Sequence, residues 1–419
     1  MTCAKVSVRW TAAAVMLAAP LGGGALAETM PATGAVGCPA GGKHQIWVDA
    51  LKTCIDPGGY LWAEGYYNEY TDYPADADRF YGIGTLGLTL NTTTDTGPLG
   101  PLRGVADVRF QYRSADAFAG GPPELQVKPQ TLYIDWSGLT VGFRHSFFDF
   151  YKNANVMGTD PAIVGDSTKL PVAAYTLAMR EGWSATIAAE QGNYRGGGIA
   201  AADAYSGAVF GQDSRTPDFV AALGQKVDWG KFQVSGALHR VAVNGDVPWM
   251  TSSPETWGYA LQAGVMVNLP MITEGDSLYF QTAYVDGATS YLGLVNPSGD
   301  FTPPDAYLGF GGSLSRVTGW NVTAQYLHNW SPVLNSALFA AYGRFDINDA
   351  TAQLTYGASG GNNFNAGANV VWSATKDLSF LAQYAFNYYG ARDYVNTSNG
   401  LPQSSQSAHE VLLMARYGF

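Results

Sequence analysis

From residue 59 onward the chain alternates apolar and polar positions with period two, in runs that stop at Gly, Pro, Asn or Asp. That is the pattern of strands with two unlike faces. In 102–113, Leu102, Gly104, Ala106, Val108, Phe110 and Tyr112 share one face, and Arg103, Asp107, Arg109, Gln111 and Arg113 share the other. The run 378–389 repeats the logic, with Leu378, Phe380, Ala382, Tyr384, Phe386 and Tyr388 opposite Ser379, Gln383 and Asn387. Trp257, Tyr259, Leu261, Ala263, Val265, Val267 and Leu269 form a third apolar face. Strands of a soluble sandwich are usually about five or six residues long. These runs have the roughly nine to eleven residues that a tilted strand needs to cross a bilayer.

The connections alternate between short and long, so the two ends of the predicted sheet are unlike. Short ones fall at 137–138, 181–182, 229–230, 270–275, 331–335 and 373–376, and long ones at 114–127, 146–170, 192–216, 244–255, 287–318, 347–361 and 391–407. Counting with that alternation predicts an all-β fold, a transmembrane antiparallel β-barrel of about 16 strands with short periplasmic turns and long extracellular loops. Closure is required, because an open sheet edge in hydrocarbon leaves backbone groups without partners. The stretch 306–317 also alternates; it is assigned to a structured part of the preceding loop or to an extension of the next strand. Tyr60, Trp62, Trp136, Trp183, Trp229, Trp257, Trp330, Trp372 and Phe419 recur at strand ends, where interfacial aromatic girdles are expected.

Composition supports this reading by exclusion. Only 14% of residues are charged while 13% are aromatic, which rules out a disordered chain. With 23 basic against 34 acidic residues the chain lacks the footprint of a nucleic-acid binder. Residues 1–27 carry Lys5 and Arg9, an apolar stretch and Ala25-Leu26-Ala27, the layout of a signal peptide. Its removal takes two basic residues and no acidic ones, moving the formal charge from −11 to −13. The expected organisation is therefore a signal peptide at 1–27, an N-terminal periplasmic segment at 28–58 and the barrel at 59–419. Cys38 and Cys54 are the cysteines left after export and fit one disulfide. His44, His145, His239, His328 and His409 have no metal-ligand spacing, and Arg195-Gly196-Gly197-Gly198 lacks the lysine and helix of a phosphate loop. No cofactor is called for.

At this level of detail the chain resembles the alphaproteobacterial general porins of rhizobia and their relatives. The likeness is carried by Cys38 through Cys54 leading into Gly58-Gly59-Tyr60-Leu61-Trp62, by Tyr133-Ile134-Asp135-Trp136-Ser137-Gly138-Leu139-Thr140-Val141-Gly142, and by the terminal Tyr417-Gly418-Phe419. The resemblance implies a homotrimer in outer-membrane lipid and a third long loop, 146–170, folded into the lumen. Phe419 resembles the terminal signal read by the outer-membrane barrel assembly machinery.

Sixteen strands enclose an aqueous channel whose inward residues decide what passes. Parity predicts Arg103, Asp107, Arg109 and Arg113 on the third strand, Asp135 on the fourth, Arg144 on the fifth and Arg180 on the sixth as pore-lining. The infolded loop carries Asp149, Asp160 and Asp166, with Lys152 and Lys169 among them, so opposed charges would face each other across the passage. Ion preference stays open, since the overall charge favours cations and the arginine wall favours anions. The expected function is passive diffusion of small hydrophilic solutes and ions, with a substrate-specific channel as the alternative that saturable flux would reveal. A barrel enzyme would need a nucleophile beside a base, and no such pattern accompanies His145, His239 or His328. An adhesive barrel with a plugged lumen is the remaining rival.

Overall fold

The computed structural model describes residues 38, 44–71, 79–114, 123–151, 155–158, 164–165, 167–201, 209–210, 212–213, 215–244, 253–295, 301–309, 311–393 and 405–419. The expected signal peptide lies outside them. Sixteen long strands follow one another around a ring. They are β1 (Thr53–Tyr70), β2 (Phe80–Asp95), β3 (Pro101–Arg113), β4 (Glu124–Trp136), β5 (Leu139–His145), β6 (Lys169–Ala178), β7 (Trp183–Glu190) and β8 (Asp218–Val227), then β9 (Gly230–Ala242), β10 (Glu255–Asn268), β11 (Ser277–Asp286), β12 (Thr318–Ser331), β13 (Leu334–Asp346), β14 (Gly360–Ser373), β15 (Leu378–Arg392) and β16 (Ser405–Gly418). Each pairs antiparallel with its neighbours in sequence, and β1 pairs with both β2 and β16, so the sheet has no free edge. No helix among the described residues is long and apolar enough to cross a membrane.

The faces are inverted relative to a soluble protein. Leu88 and Leu90 of β2, Ile134 of β4, Ile187 of β7, Leu261 of β10, Leu338 of β13 and Leu413 of β16 are exposed large apolar residues on the outer surface. The residues that alternate with them point inward and are mostly buried polar or small side chains, such as Thr85, Gln262 and Ala337. In lipid the outer face is the solvated one, so the alternation that marks a strand also marks the membrane.

Short turns gather at one end, among them Ser137-Gly138, whose two positive φ values of 50° and 88° make the two-residue hairpin that a tight antiparallel pair needs. β1 begins at Thr53, six residues before the expected barrel start, and its first residues pair with the short strand Ile46–Val48. Cys38 and Cys54 are joined there in a disulfide. At the other end the stretch 306–317 is a loop hairpin: Ala306–Leu308 pairs with Leu314–Arg316 and with Ile199–Ala201 from another long loop, outside the barrel sheet. The single α-helix among the described residues, Ala350–Tyr356, also sits in a long loop and is capped by Asp349, whose side chain accepts from the Ala352 N–H.

Candidate functional site

The loop after β5 runs through the barrel interior, and the inward amides of the far wall hold it. Ser235 of β9 donates to the Phe148 carbonyl at 2.7 Å, and Gln262 of β10 accepts from the Phe150 N–H at 2.9 Å. Gln281 of β11 grips twice, accepting from the Tyr151 N–H at 2.9 Å and donating to the Gly165 carbonyl at 2.7 Å. Thr323 of β12, Asn365 and Asn369 of β14 and Gln383 of β15 continue the row, bonding Val164, Asn155 and Met157 of the loop. A loop without regular structure has backbone groups that need partners, and these side chains supply them where bulk water does not. Gly264 lets the loop approach closely, since a Cβ there would lie 2.2 Å from the Phe150 ring. The loop after β11 joins it inside: Asn321 donates to the Leu292 carbonyl at 2.8 Å, and the Gly165 N–H to the same carbonyl at 3.0 Å. Among the described residues, the loop after β11 thus reaches into the lumen beside the infolded one.

The opposite wall, β1 to β5 with β16, is charged and aromatic. Tyr60, Trp62, Glu64, Tyr66, Asn68 and Tyr70 all lie on the inner face of β1, so Tyr60 and Trp62 belong to the lumen and not to the expected girdle. Gly87 of β2 makes room, because a Cβ there would meet the Tyr60 ring at 2.0 Å. The Tyr60 hydroxyl donates to Asp107 at 2.9 Å and accepts from Arg109 Nε at 2.6 Å. Arg109 lies over the Trp62 ring at 4.2 Å, Arg113 over Tyr81 at 4.9 Å, and Arg144 over Tyr133 at 4.8 Å and Phe147 at 4.6 Å. Such stacking holds a guanidinium in place without itself neutralising the charge.

The residues expected to line the pore divide as follows. Arg103, Asp107, Arg109, Arg113, Asp135 and Arg144 share one inner wall; Arg103 sits opposite Asp135 in register, and Arg144 reaches Asp135 at 4.0 Å. Arg180 does not join them. It lies in the exposed turn Arg180–Gly182 between β6 and β7, because β6 ends two residues before it. Lys169 opens β6 on the same strand face as the exposed Tyr175, and its ammonium donates to Gln130. Asp149 does not face the arginine wall. It is buried and accepts from Arg195 Nη2 at 2.7 Å and from the Thr168 N–H at 2.8 Å, since a carboxylate inside the loop's own packing requires a paired cation. Lys152, Asp160 and Asp166 lie outside the described residues.

Sequence parity missed Lys128 and Arg416. A bulge between Asp107 and Val108, which face Thr131 and Pro129, skips Gln130 and turns Lys128 to the face of Arg109. Arg416 lies on the inner face of the last strand, 5.4 Å from the Trp62 ring centre. The long loops are latched at their base by a buried polar cluster that no motif announced. His239 of β9 bridges Asp218 of β8 at 2.8 Å and Asp305 of the loop after β11 at 3.3 Å, and Tyr291 donates to Asp218 at 2.6 Å. Nearby, Ser146 and the Phe147 N–H bond Glu190 at 2.7 and 2.8 Å. No group of His, Cys, Asp or Glu among the described residues has a metal-holding arrangement.

The chain as a whole is similar to known proteins. A family model described as "Porin subfamily" matches residues 38–414. Porin Omp2b of Brucella neotomae is 26% identical over 272 residues, 63% of this chain and 68% of that protein. Porin Omp2b of Brucella abortus (strain 2308) is 26% identical over 260 residues, 60% of this chain and 65% of that protein, so the alignments span about two thirds of these relatives' length. Among solved structures, the outer membrane channel DcaP of Acinetobacter baumannii superposes with a TM-score of 0.66 at 16% identity, covering 90% of this chain and 100% of that one. The anion-selective porin from Comamonas acidovorans does so with a TM-score of 0.50 at 13% identity, covering 88% and 100%. At those identities the superpositions speak for the fold alone. The family match over most of the chain, joined to a closed barrel of sixteen strands with an apolar outer belt and a loop clasped inside, places the protein in the outer membrane: it belongs to the porin subfamily.

Proposed function

We propose that the channel admits small hydrophilic solutes and ions by passive diffusion and that its narrow part favours anions. The observation that carries this is the division of the lumen. Among the described residues, the wall of β1 to β5 and β16 turns Arg103, Arg109, Arg113, Lys128, Arg144 and Arg416 inward against Glu64, Asp107, Glu124, Asp135 and Glu410. The wall of β10 to β15 turns in uncharged residues such as Gln262, Gln281, Asn321, Gln325, Asn365 and Gln383. A permeating ion therefore feels the local basic surplus of one wall more than the acidic balance of the whole chain, because screening in salt confines charge effects to about 10 Å.

The residues named for the lumen act here as charge lining, with Asp149 and Lys169 anchoring the loop and β6. Three copies pack through their lipid-facing strands, the leader at 1–27 is removed on export, and Phe419 is the feature the assembly machinery reads. Phe419 is well placed for that, since its backbone exchanges two hydrogen bonds with Gly59 at 2.9 Å and its ring remains half exposed at the barrel's end. Planar-bilayer recording under a KCl gradient tests the proposal. Ohmic steps that close in threes, with a reversal potential on the chloride side, are the expected result. A cation-side potential would overturn the preference. Silence from folded, inserted protein would overturn the channel itself.

A further inference from the structure

We propose that Trp62, Arg109 and Arg416 form a binding subsite in the lumen for small solutes carrying an oxyanion, a carboxylate or phosphate group. The inference rests on the channel reading above and adds a substrate class to it.

The three side chains come from the first, third and last barrel strands and are brought together only by closure of the ring. Both guanidinium groups stand over the same indole, Arg109 at 4.2 Å and Arg416 at 5.4 Å from the ring centre. Tyr60 stacks on that indole at 4.7 Å and directs Arg109 through its hydroxyl. Two like charges held at one ring share a single nearby counterion, Glu64, whose charge acts on both, and neither arginine makes a close ion pair with a carboxylate among the described residues. The nearby Glu64 spends its oxygens on the Tyr66 and Thr85 hydroxyls, at 3.0 and 3.5 Å.

Donors are also left over. Trp62 Nε1 and Arg416 Nε are shielded and have no acceptor within the protein. The polar contact made by Arg416 is weak, from Nη1 to the Met157 sulfur of the infolded loop at 3.8 Å. Unused, shielded N–H donors beside two cations that share one carboxylate leave room for an acceptor with negative charge. A planar oxyanion meets that demand best, since its paired oxygens match the guanidinium fork. Met157 also places the cluster where the loop approaches the charged wall, so a solute passing between them meets these groups at short range.

Succinate and its uncharged analogue succinamide provide the test. The full-length protein, inserted in planar bilayers in a fixed chloride background, is titrated with each, and folding of every variant is checked by its heat-modifiable gel mobility. Succinate is expected to reduce the chloride current along a saturating curve, and succinamide to leave it unsaturated. Arg109→Gln and Arg416→Gln should each raise the half-effective succinate concentration by about ten-fold, the size of one lost charge-assisted bond. Trp62→Phe, which keeps a ring and removes the N–H, should raise it less. A change in pore width alone alters conductance and leaves the half-effective concentration in place. Flux linear in succinate, equal effects of succinate and succinamide, or variants with an unshifted midpoint would overturn the subsite while leaving the channel intact. Absence of conductance in folded protein would overturn the channel reading instead.

Discussion

The two walls of the lumen are made from the same kind of strand and do different work. On β10 to β15 the inward polar residues are uncharged, Tyr279 and Phe339 pack with Phe150 and Tyr151 of the loop, and nearly every amide is committed to the infolded loops, as with Gln281 and Gln383. On β1 to β5 and β16 they are arginines laid on aromatic rings, and their hydrogen-bonding capacity is only partly used. Amides suit the first task because they satisfy a carbonyl and an N–H at once without the desolvation cost of a charge. Arginines suit the second because a stacked guanidinium keeps its charge and its geometry while facing water. One wall fixes where the passage lies, and the other sets what it prefers.

Breaking the loop's attachment should have the largest effect. Arg195→Met leaves Asp149 buried without its cation and Glu190 without a nearby positive charge; we expect a loss of about 3–5 kcal/mol, read as a lower temperature of heat-modifiable unfolding. Gln281→Leu strips partners from the Tyr151 N–H and the Gly165 carbonyl. Each orphaned group costs about 1–3 kcal/mol, so the loop should loosen, with higher and noisier unit conductance in bilayer recordings. Arg109→Glu leaves the loop in place and should shift the reversal potential toward cations with little change in stability, since its ring contacts are side-chain contacts on a water-lined wall. An unchanged potential would remove it from the pore lining.

The smallest effect lies outside the lumen, in the turn between β10 and β11. Burial pushes the Asp276 carboxyl up, but bonds from His328, the Asn329 N–H and the Tyr326 hydroxyl outweigh it and hold the group below its ordinary value. A depressed carboxyl contributes stability that is present above its unfolded pKa and lost as pH falls through the folded one. Asp276→Asn should therefore flatten the acid-side decline in unfolding temperature, and an unaltered slope would show that the turn does not contribute to it.

Much of the architecture was readable because lipid and water impose period two on every strand. The faces of 102–113, 257–269 and 378–389, the unlike ends and the strand number all follow from it; 306–317, which alternates too and is read as a loop element or a strand extension, is a hairpin within the loop. The readings that failed are those where local pattern underdetermines direction. Tyr60 and Trp62 look like girdle residues at a strand end, and only Gly87 on the next strand explains why the Tyr60 ring turns inward. Lys128 escaped notice because a one-residue bulge reverses parity within β4. Parity puts Arg180 on a strand, whereas the turn between β6 and β7 contains it.

The sequence by itself determined a barrel, its topology and the polarity of its faces, because those depend on nearest neighbours along and across strands. The tertiary structure alone decided that Asp149 meets Arg195 and that Arg109 and Arg416 meet over Trp62. Those partners lie far apart in the chain, and a charge finds its partner through ring closure and loop packing, which no local period records.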